Sequence, residues 1–178
     1  MSPSLTVRRI TADQGAVLRQ LRTASLRDAP HAFGDTHDGA LSDDPDVFDA
    51  AAAQHAVSHT DTSFILYTEG HPAGLISACF ESAAAHRAFV QALWVAPAVR
   101  HLRGGELLVN TAIEWLASEG ATLIHAWVPD ANVTAMRFYE RLGFAATGDH
   151  ARSRQVPDQW ETLLMREVRG RAALASAQ

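Results

Sequence analysis

Apolar residues along the chain recur with two different periods, and the switches between them mark out the elements. Val7, Arg8, Arg9 and Ile10 fit a short first strand, and Thr11-Ala12-Asp13-Gln14 then has the residue types of a capping box. Val17, Leu18, Leu21 and Ser25 follow at helical spacing, which predicts a helix ending before Pro30. Ser42-Asp43-Asp44-Pro45 announces a second helix, with proline in its first turn and an alanine-rich body running towards His59. Phe64 to Thr68 and Ala73 to Phe80 read as two strands joined by the hairpin turn Glu69-Gly70-His71-Pro72, and therefore as antiparallel neighbours. Ala88 to Val95 is almost continuously apolar, as expected of a strand covered on both faces. From Gly105 to Glu119 the period returns to that of a helix, with Leu107, Leu108, Ala112, Ile113 and Leu116 inward and Gly120 as the stop. Thr122 to Val128 gives a strand, Asn132 to Leu142 a helix closed by Gly143, and Phe144 to Thr147 and Trp160 to Val168 the closing strands.

This alternation predicts an α/β fold built on a mixed sheet. At 178 residues and 47% hydrophobic content, one domain over residues 1–170 suffices, with 171–178 as a loose tail. No apolar run approaches the roughly 20 residues that span a bilayer, and the amino terminus lacks the basic-then-apolar order of a secretory signal. The expectation is a cytoplasmic protein with no membrane contact. A net charge of −5 argues against a broad basic surface for nucleic acid. Cys79, the single cysteine, sits in the apolar run Leu75-Ile76-Ser77-Ala78-Cys79-Phe80 and reads as packed core. The nine histidines lack ligand spacing, so no metal is expected. Charge is distributed unevenly: Asp35, Asp38, Asp43, Asp44, Asp46 and Asp49 crowd one segment, while Arg100 and Arg103 flank a turn. Such a split suits an anionic cofactor at one end and a cationic acceptor near the other, although acidic residues also serve as ordinary helix caps.

Two segments carry the chemistry. Leu93 to Leu108 runs from an apolar strand through the basic, glycine-containing turn Arg100-His101-Leu102-Arg103-Gly104-Gly105 into a helix. Helix starts of this kind hold anions, because their first N–H groups are unpaired and the helix dipole is positive there. Asn132-Val133-Thr134-Ala135-Met136-Arg137-Phe138-Tyr139 places an asparagine at the next helix start and a tyrosine two turns later. Together they resemble the coenzyme A site of the GNAT superfamily of N-acetyltransferases. The resemblance implies a mixed, mostly antiparallel sheet of about seven strands with helices on both faces. It also implies the family's phosphate turn, Arg/Gln-x-x-Gly-x-Gly/Ala, in which Arg100 and Gly105 match. Arg103 replaces the first motif glycine, and His101 stands where a glycine is common. A side chain at 103 either hinders the approach of a pyrophosphate or binds it.

On the same resemblance, the backbone of Leu93, Trp94 and Val95 pairs with the pantetheine arm. The N–H groups of His101, Leu102, Arg103, Gly104 and Gly105 hold the pyrophosphate, and Glu106 adds its N–H with the carboxylate turned away. Asn132 contacts the cofactor arm, and Ala135 and Phe138 pack beside the thiol. Tyr139 matches the family's proton donor to the departing thiolate, and free phenol and thiol pKa values of roughly 10 and 8.5 allow such a transfer in a tuned site. Its other reading is packing with Phe138 and Phe144.

The base that takes the amine proton is open. Alternation along Leu123 to Val128 puts Ile124, Ala126 and Val128 on one face and His125 on the other, towards an acceptor, and Glu81 at a strand end is the second candidate. The string from Leu21 to Gly34 also resembles bacterial members of the family, in which the first two helices wall the acceptor cleft. Phe33 and Phe48 become candidates for selecting the acceptor. The implied function is metal-free transfer from acetyl-CoA to a primary amine, on a small molecule or a protein, by direct attack in a ternary complex. A noncatalytic acyl-CoA sensor is the alternative. A nicotinamide enzyme fits poorly, since the turn lacks the Gly-x-Gly-x-x-Gly fingerprint. Pairing of the closing strands between two copies would give a homodimer.

Overall fold

The computed structural model describes residues 4–29, 44–82, 86–153, 156 and 158–169. In chain order they form β1 (Leu5–Arg9), α1 (Gly15–Asp28), α2 (Pro45–Val57), β2 (Asp61–Thr68), β3 (His71–Phe80) and β4 (Arg87–Val95). A 3₁₀ helix (Pro97–Leu102), α3 (Gly104–Ser118), β5 (Leu123–Pro129), α4 (Val133–Arg141), β6 (Ala145–Arg152) and β7 (Trp160–Glu167) follow. Seven strands make one sheet in the order β1-β2-β3-β4-β5-β7-β6, and every neighbouring pair is antiparallel except β4 with β5. The parallel pair is the one joined through a helix, as a crossover requires. The expected α/β fold with about seven mostly antiparallel strands is what forms.

Two cores lie on opposite faces of the sheet. On one face Leu108, Val109, Ala112 and Leu116 of α3 and Tyr139 of α4 pack over Leu66, Ile76, Ala88, Val90, Ile124, Ala126 and Leu164. On the other, Leu18, Leu21 and Leu26 of α1 and Phe48 and Ala52 of α2 pack over Ile65, Leu75 and Trp94. α3 buries Leu108, Ala112, Ile113 and Leu116 as its periodicity predicts, whereas Leu107, expected inward, lies on the outer side at 39% exposure, with Val109 buried instead.

Element boundaries depart from the sequence expectation for local reasons. The predicted hairpin turn of four residues contracts to Glu69-Gly70, whose φ angles of 48° and 82° give the primed geometry that suits the strand twist, so β3 starts at His71. Only half of the predicted capping box forms. Gln14 Oε1 accepts from Thr11 N–H at 3.0 Å, but the Thr11 hydroxyl turns to Asp13, and α1 begins only at Gly15. The last hairpin is longer than its apolar content indicates: β6 reaches Arg152 although almost all its residues are exposed, because backbone pairing with β7 needs no apolar side chains. Phe33, Asp35, Asp38 and Asp43, like residues 171–178, lie outside the described residues.

α1 and α2 approach each other closely at Gly15. A Cβ there would stand 2.7 Å from both the backbone N and the Cα of Asp49, so α2 would have to move. Gly15→Ala is expected to destabilise the protein by about 2 kcal/mol through overpacking, read as a lowered urea midpoint at unchanged m-value.

Candidate functional site

The parallel pairing of β4 with β5 stops early. Arg87, Ala88 and Phe89 pair with Leu123, Ile124 and His125, and beyond this row the two strands part. A bulge sits just past that point, where the β3–β4 register shifts and Ala92 adopts φ 54°. From Val90 to Val95, β4 remains paired to β3 on one side while its other edge faces the opening, so peptide groups of Leu93, Trp94 and Val95 on that edge lack a strand partner. An extended amide ligand can take those positions as an added strand would.

The opening leads to the start of α3. His101 and Leu102 lie inside the 3₁₀ helix, where the turns use their own N–H groups, and Arg103 N–H reaches the Arg100 carbonyl at 3.4 Å. The first backbone bond of α3 is Leu107 N–H to the Arg103 carbonyl, and no side chain caps the helix among the described residues. Open donors are thus the N–H groups of Gly104, Gly105 and Glu106, rather than the stretch from His101 to Gly105. The two glycines serve different ends. A Cβ on Gly104 would lie 2.5 Å from Leu66 Cδ2, so its bareness lets α3 settle on the sheet. A Cβ on Gly105 would meet Phe138 at an ordinary 3.5 Å, so the protein's own packing does not demand glycine there.

Neither arginine of the turn has a free side chain. Arg100 Nε–H donates to the Val95 carbonyl at 2.9 Å and its terminal nitrogen pairs with Asp28, which also accepts from Trp94 Nε1–H at 2.9 Å. These donors hold the Asp28 carboxyl below its ordinary pKa, the Trp94 bond contributing most. The end of α1 is thereby tied to the end of β4 and to the turn. Arg103 folds along α3 into a two-pronged pair with Glu106, both bonds at 2.8 Å. The Glu106 carboxylate is neutralised by this pairing. Arg103 itself has φ 62°, the left-handed conformation for which glycine is the usual residue. The turn keeps the glycine-type backbone at this position despite the side chain.

The second signature meets the first through Phe138, which lies beside Gly105. Asn132 caps α4: its Oδ1 accepts from Ala135 N–H at 3.0 Å, which leaves its side-chain amide N–H groups for a ligand. The loop before it is braced by Asn132 N–H to the Pro129 carbonyl at 2.8 Å and by Asp130, which accepts from Thr162 Oγ1 at 2.8 Å and pairs with His150. Tyr139 is 6% exposed and stands edge-on to Phe138 and Phe144 at 5.3 and 5.2 Å. Burial pushes its phenol pKa well up, so the hydroxyl is protonated at neutral pH. No hydrogen bond to it is found among the described residues.

Of the two candidate bases, His125 lies on the expected face but deep, at 3% exposure. Its Nδ1–H donates to the Ala88 carbonyl at 3.3 Å and its ring packs on Phe89 at 5.3 Å. Burial pushes its pKa down, so it is neutral with Nε2 as the unprotonated nitrogen. Glu81 pairs with Arg87 at 3.6 Å, half exposed, beyond the closed end of the β4–β5 pair. Trp127, 40% exposed, shares the His125 face of β5 at the opening, where strand alternation puts it. One feature escaped the sequence reading: Ser63, Ser77 and Gln91 form one row across β2, β3 and β4 on that face. Their signal is strand register, which becomes readable only once the pairing is known.

Residues 19–144 match the family model "Acetyltransferase (GNAT) family". No curated protein sequence matches the chain at a significant level. Among solved structures, a GNAT-family acetyltransferase from Streptococcus pneumoniae superposes with a TM-score of 0.78 at 19% identity, covering 93% of this chain and 100% of its own. YncA from Salmonella typhimurium, with its cofactor acetyl-CoA, gives 0.73 at 17% identity over 92% of this chain and 94% of its own. The PaiA N-acetyltransferase from Thermoplasma acidophilum, in complex with coenzyme A, gives 0.72 at 13% identity over 93% and 99%. With more than half of its length matching that model, the chain belongs to the GNAT acetyltransferase family.

Proposed function

We propose that the protein transfers an acetyl group from acetyl-CoA to a primary amine by direct attack within a ternary complex. The observation that carries this reading is the parting of β4 and β5 beyond Phe89 and His125, which leaves an unpaired strand edge running to the open N–H groups at the start of α3. An amide-containing arm followed by a pyrophosphate fits that sequence of donors, and the Salmonella and Thermoplasma proteins hold acetyl-CoA and coenzyme A in the same fold. When bound, acetyl-CoA supplies an activated thioester. Gly104, Gly105 and Glu106 hold the pyrophosphate by their N–H groups, the edge of β4 from Leu93 to Val95 orients the arm, and Asn132 reaches it with its amide. Tyr139, protonated in its apolar surround, donates to the departing sulfur, whose anion is poorly solvated there. Trp127 offers an aromatic face to a cationic amine on the opposite side of the opening. No helix among the described residues is long and apolar enough to cross a membrane.

The direct test pairs acetyl-CoA binding by calorimetry with thiol release across a panel of polyamines, aminoglycosides, amino acids and amino-terminal peptides. Turnover of at least one amine supports the enzyme, whereas binding with no turnover anywhere leaves a sensor. Gly105→Val is expected to weaken acetyl-CoA binding about tenfold in a variant that still folds, because a branched side chain there narrows the approach to the open N–H groups. Equal affinity in the folded variant would remove the turn from the site.

Arg103→Gly has two expected effects of opposite sign. Relief of the left-handed conformation, about 1 kcal/mol, outweighs loss of an exposed helix pair of roughly 0.3 kcal/mol, so stability rises slightly in urea. Acetyl-CoA binding weakens nonetheless, because Glu106 is left unneutralised beside the pyrophosphate. Tighter binding would instead show that the arginine obstructs it.

Tyr139→Phe keeps the ring and removes the proton. Turnover is expected to fall about 100-fold with cofactor affinity unchanged. A variant that turns over like the parent would make Tyr139 packing alone.

A further inference from the structure

The row of polar residues on the acceptor face continues into α2 as a connected chain. Ser77 Oγ and Ser63 Oγ are 2.9 Å apart, and Ser63 Oγ is 3.0 Å from His55 Nδ1. Ser63 is fully buried, Ser77 only partly so, and the His55 side chain is 22% exposed. Ser77 pairs in register with Gln91, an exposed β4 residue immediately before the bulge at Ala92 where the strands part. One end of the chain therefore lies next to Gln91 on the strand that borders the opening, and the other is the partly exposed ring of His55 on α2.

We propose that Ser77, Ser63 and His55 form a relay that carries the acceptor amine's proton from the opening to the surface. The proposal rests on the acetyl-transfer reading above and supplies the proton path which that reading leaves open. The acceptor arrives as an ammonium: one N–H bond breaks and its proton passes through one water to Ser77 Oγ. The Ser77 hydroxyl proton moves to Ser63 Oγ in the same displacement, and the Ser63 proton moves to His55 Nδ1. The imidazolium so formed releases a proton to solvent at its exposed edge, and exchange with water restores the starting tautomer. The neutral amine left by the first transfer attacks the thioester, and its second N–H proton, lost after attack, replaces the one that Tyr139 gives the departing sulfur. No other reactant is needed, and no net charge stays on either serine.

The surroundings of His55 suit a transient carrier. Burial, the largest influence, pushes its pKa down and leaves the ring neutral, with a lone pair for the Ser63 proton. Asp61 of β2 lies 3.8 Å from Nε2 and favours the protonated ring, while Arg9 of β1, which donates to the His55 carbonyl at 2.9 Å, disfavours it. Gln54 holds both Asp61 oxygens at 3.2 Å, and Cys79, the nearest titratable group on β3, has a thiol kept protonated by burial and by Asp61. His55 is thus balanced to accept a proton and to lose it. His125 is boxed in by Ala88 and Phe89 and has no comparable chain of hydroxyls to it among the described residues.

The test compares parent, Ser63→Ala, His55→Asn and Ser63→Thr in the full chain, using acetyl-CoA and the primary amine that the parent acetylates fastest. His55→Asn keeps a hydrogen bond to Ser63 but cannot take up a proton, so it separates relay from packing. Both interrupting variants are expected to lose about 100-fold in kcat/KM for the amine near pH 6.5. The loss shrinks as pH rises and the amine arrives deprotonated, so the acidic limb of the profile moves to higher pH. Acetyl-CoA affinity stays at the parent value, and Ser63→Thr restores the rate. If the parent is active and His55→Asn follows the parent's pH profile, the relay is overturned while acetyl transfer stands; that variant decides even if Ser63→Ala fails to fold. If the parent turns over no amine, the acetyl-transfer reading falls and the relay falls with it.

Discussion

The site depends on one unmade set of hydrogen bonds. A parallel pair of strands buried in the middle of a sheet would ordinarily stay zipped along its length, because unpaired peptide groups away from water are costly. Here β4 and β5 pair over three residues and then separate, with the bulge at Ala92 turning β4 away. The rest of the fold keeps that gap open: β3 holds β4 from one side, β7 holds β5 along its whole length from the other, and α3 and α4 cover the near face. A ligand that replaces the missing bonds completes the sheet.

Around that gap the polar contacts have a common direction. Asp28, Trp94 and Arg100 fix the far end of β4, Asn132 and Asp130 fix the exit of β5, and the start of α3 closes the path between them. Apart from Trp94, whose ring belongs to the second core, these groups sit at the margins of the apolar cores, so their contribution is chiefly to geometry. The cores on the two faces supply the stability, with aliphatic residues from α3 on one side and from α1 and α2 on the other.

Much of this was legible in the chain because it follows from local rules. Leu108, Ala112, Ile113 and Leu116 announce α3 by period, Gly143 and Gly120 stop their helices at positive φ, and Asn132 caps α4 as its residue type predicts. What was not legible depends on pairing across the fold. The partner of Arg100 is not local, since Asp28 is 72 positions away, whereas the pairing of Arg103 with Glu106 follows helical i,i+3 spacing. His125 was placed on the correct face, yet its depth depends on Phe89, a residue brought beside it only by the parallel register. β6 was cut short because its exposed, polar sequence carries no hydrophobic signal at all.

The carboxylate of Asp28 joins two regions with separate tasks. It closes α1, a helix of the face that holds His125 and Trp127, and it grips Trp94 and Arg100, which on the proposed reading border the cofactor arm and its phosphates. Any molecule that displaces the end of α1 on binding also perturbs that grip, and any molecule that tightens the turn also steadies the helix. Thermodynamic reciprocity makes the two effects equal in size. An acceptor and a cofactor that never touch at this point would still sense each other's presence through a single side chain.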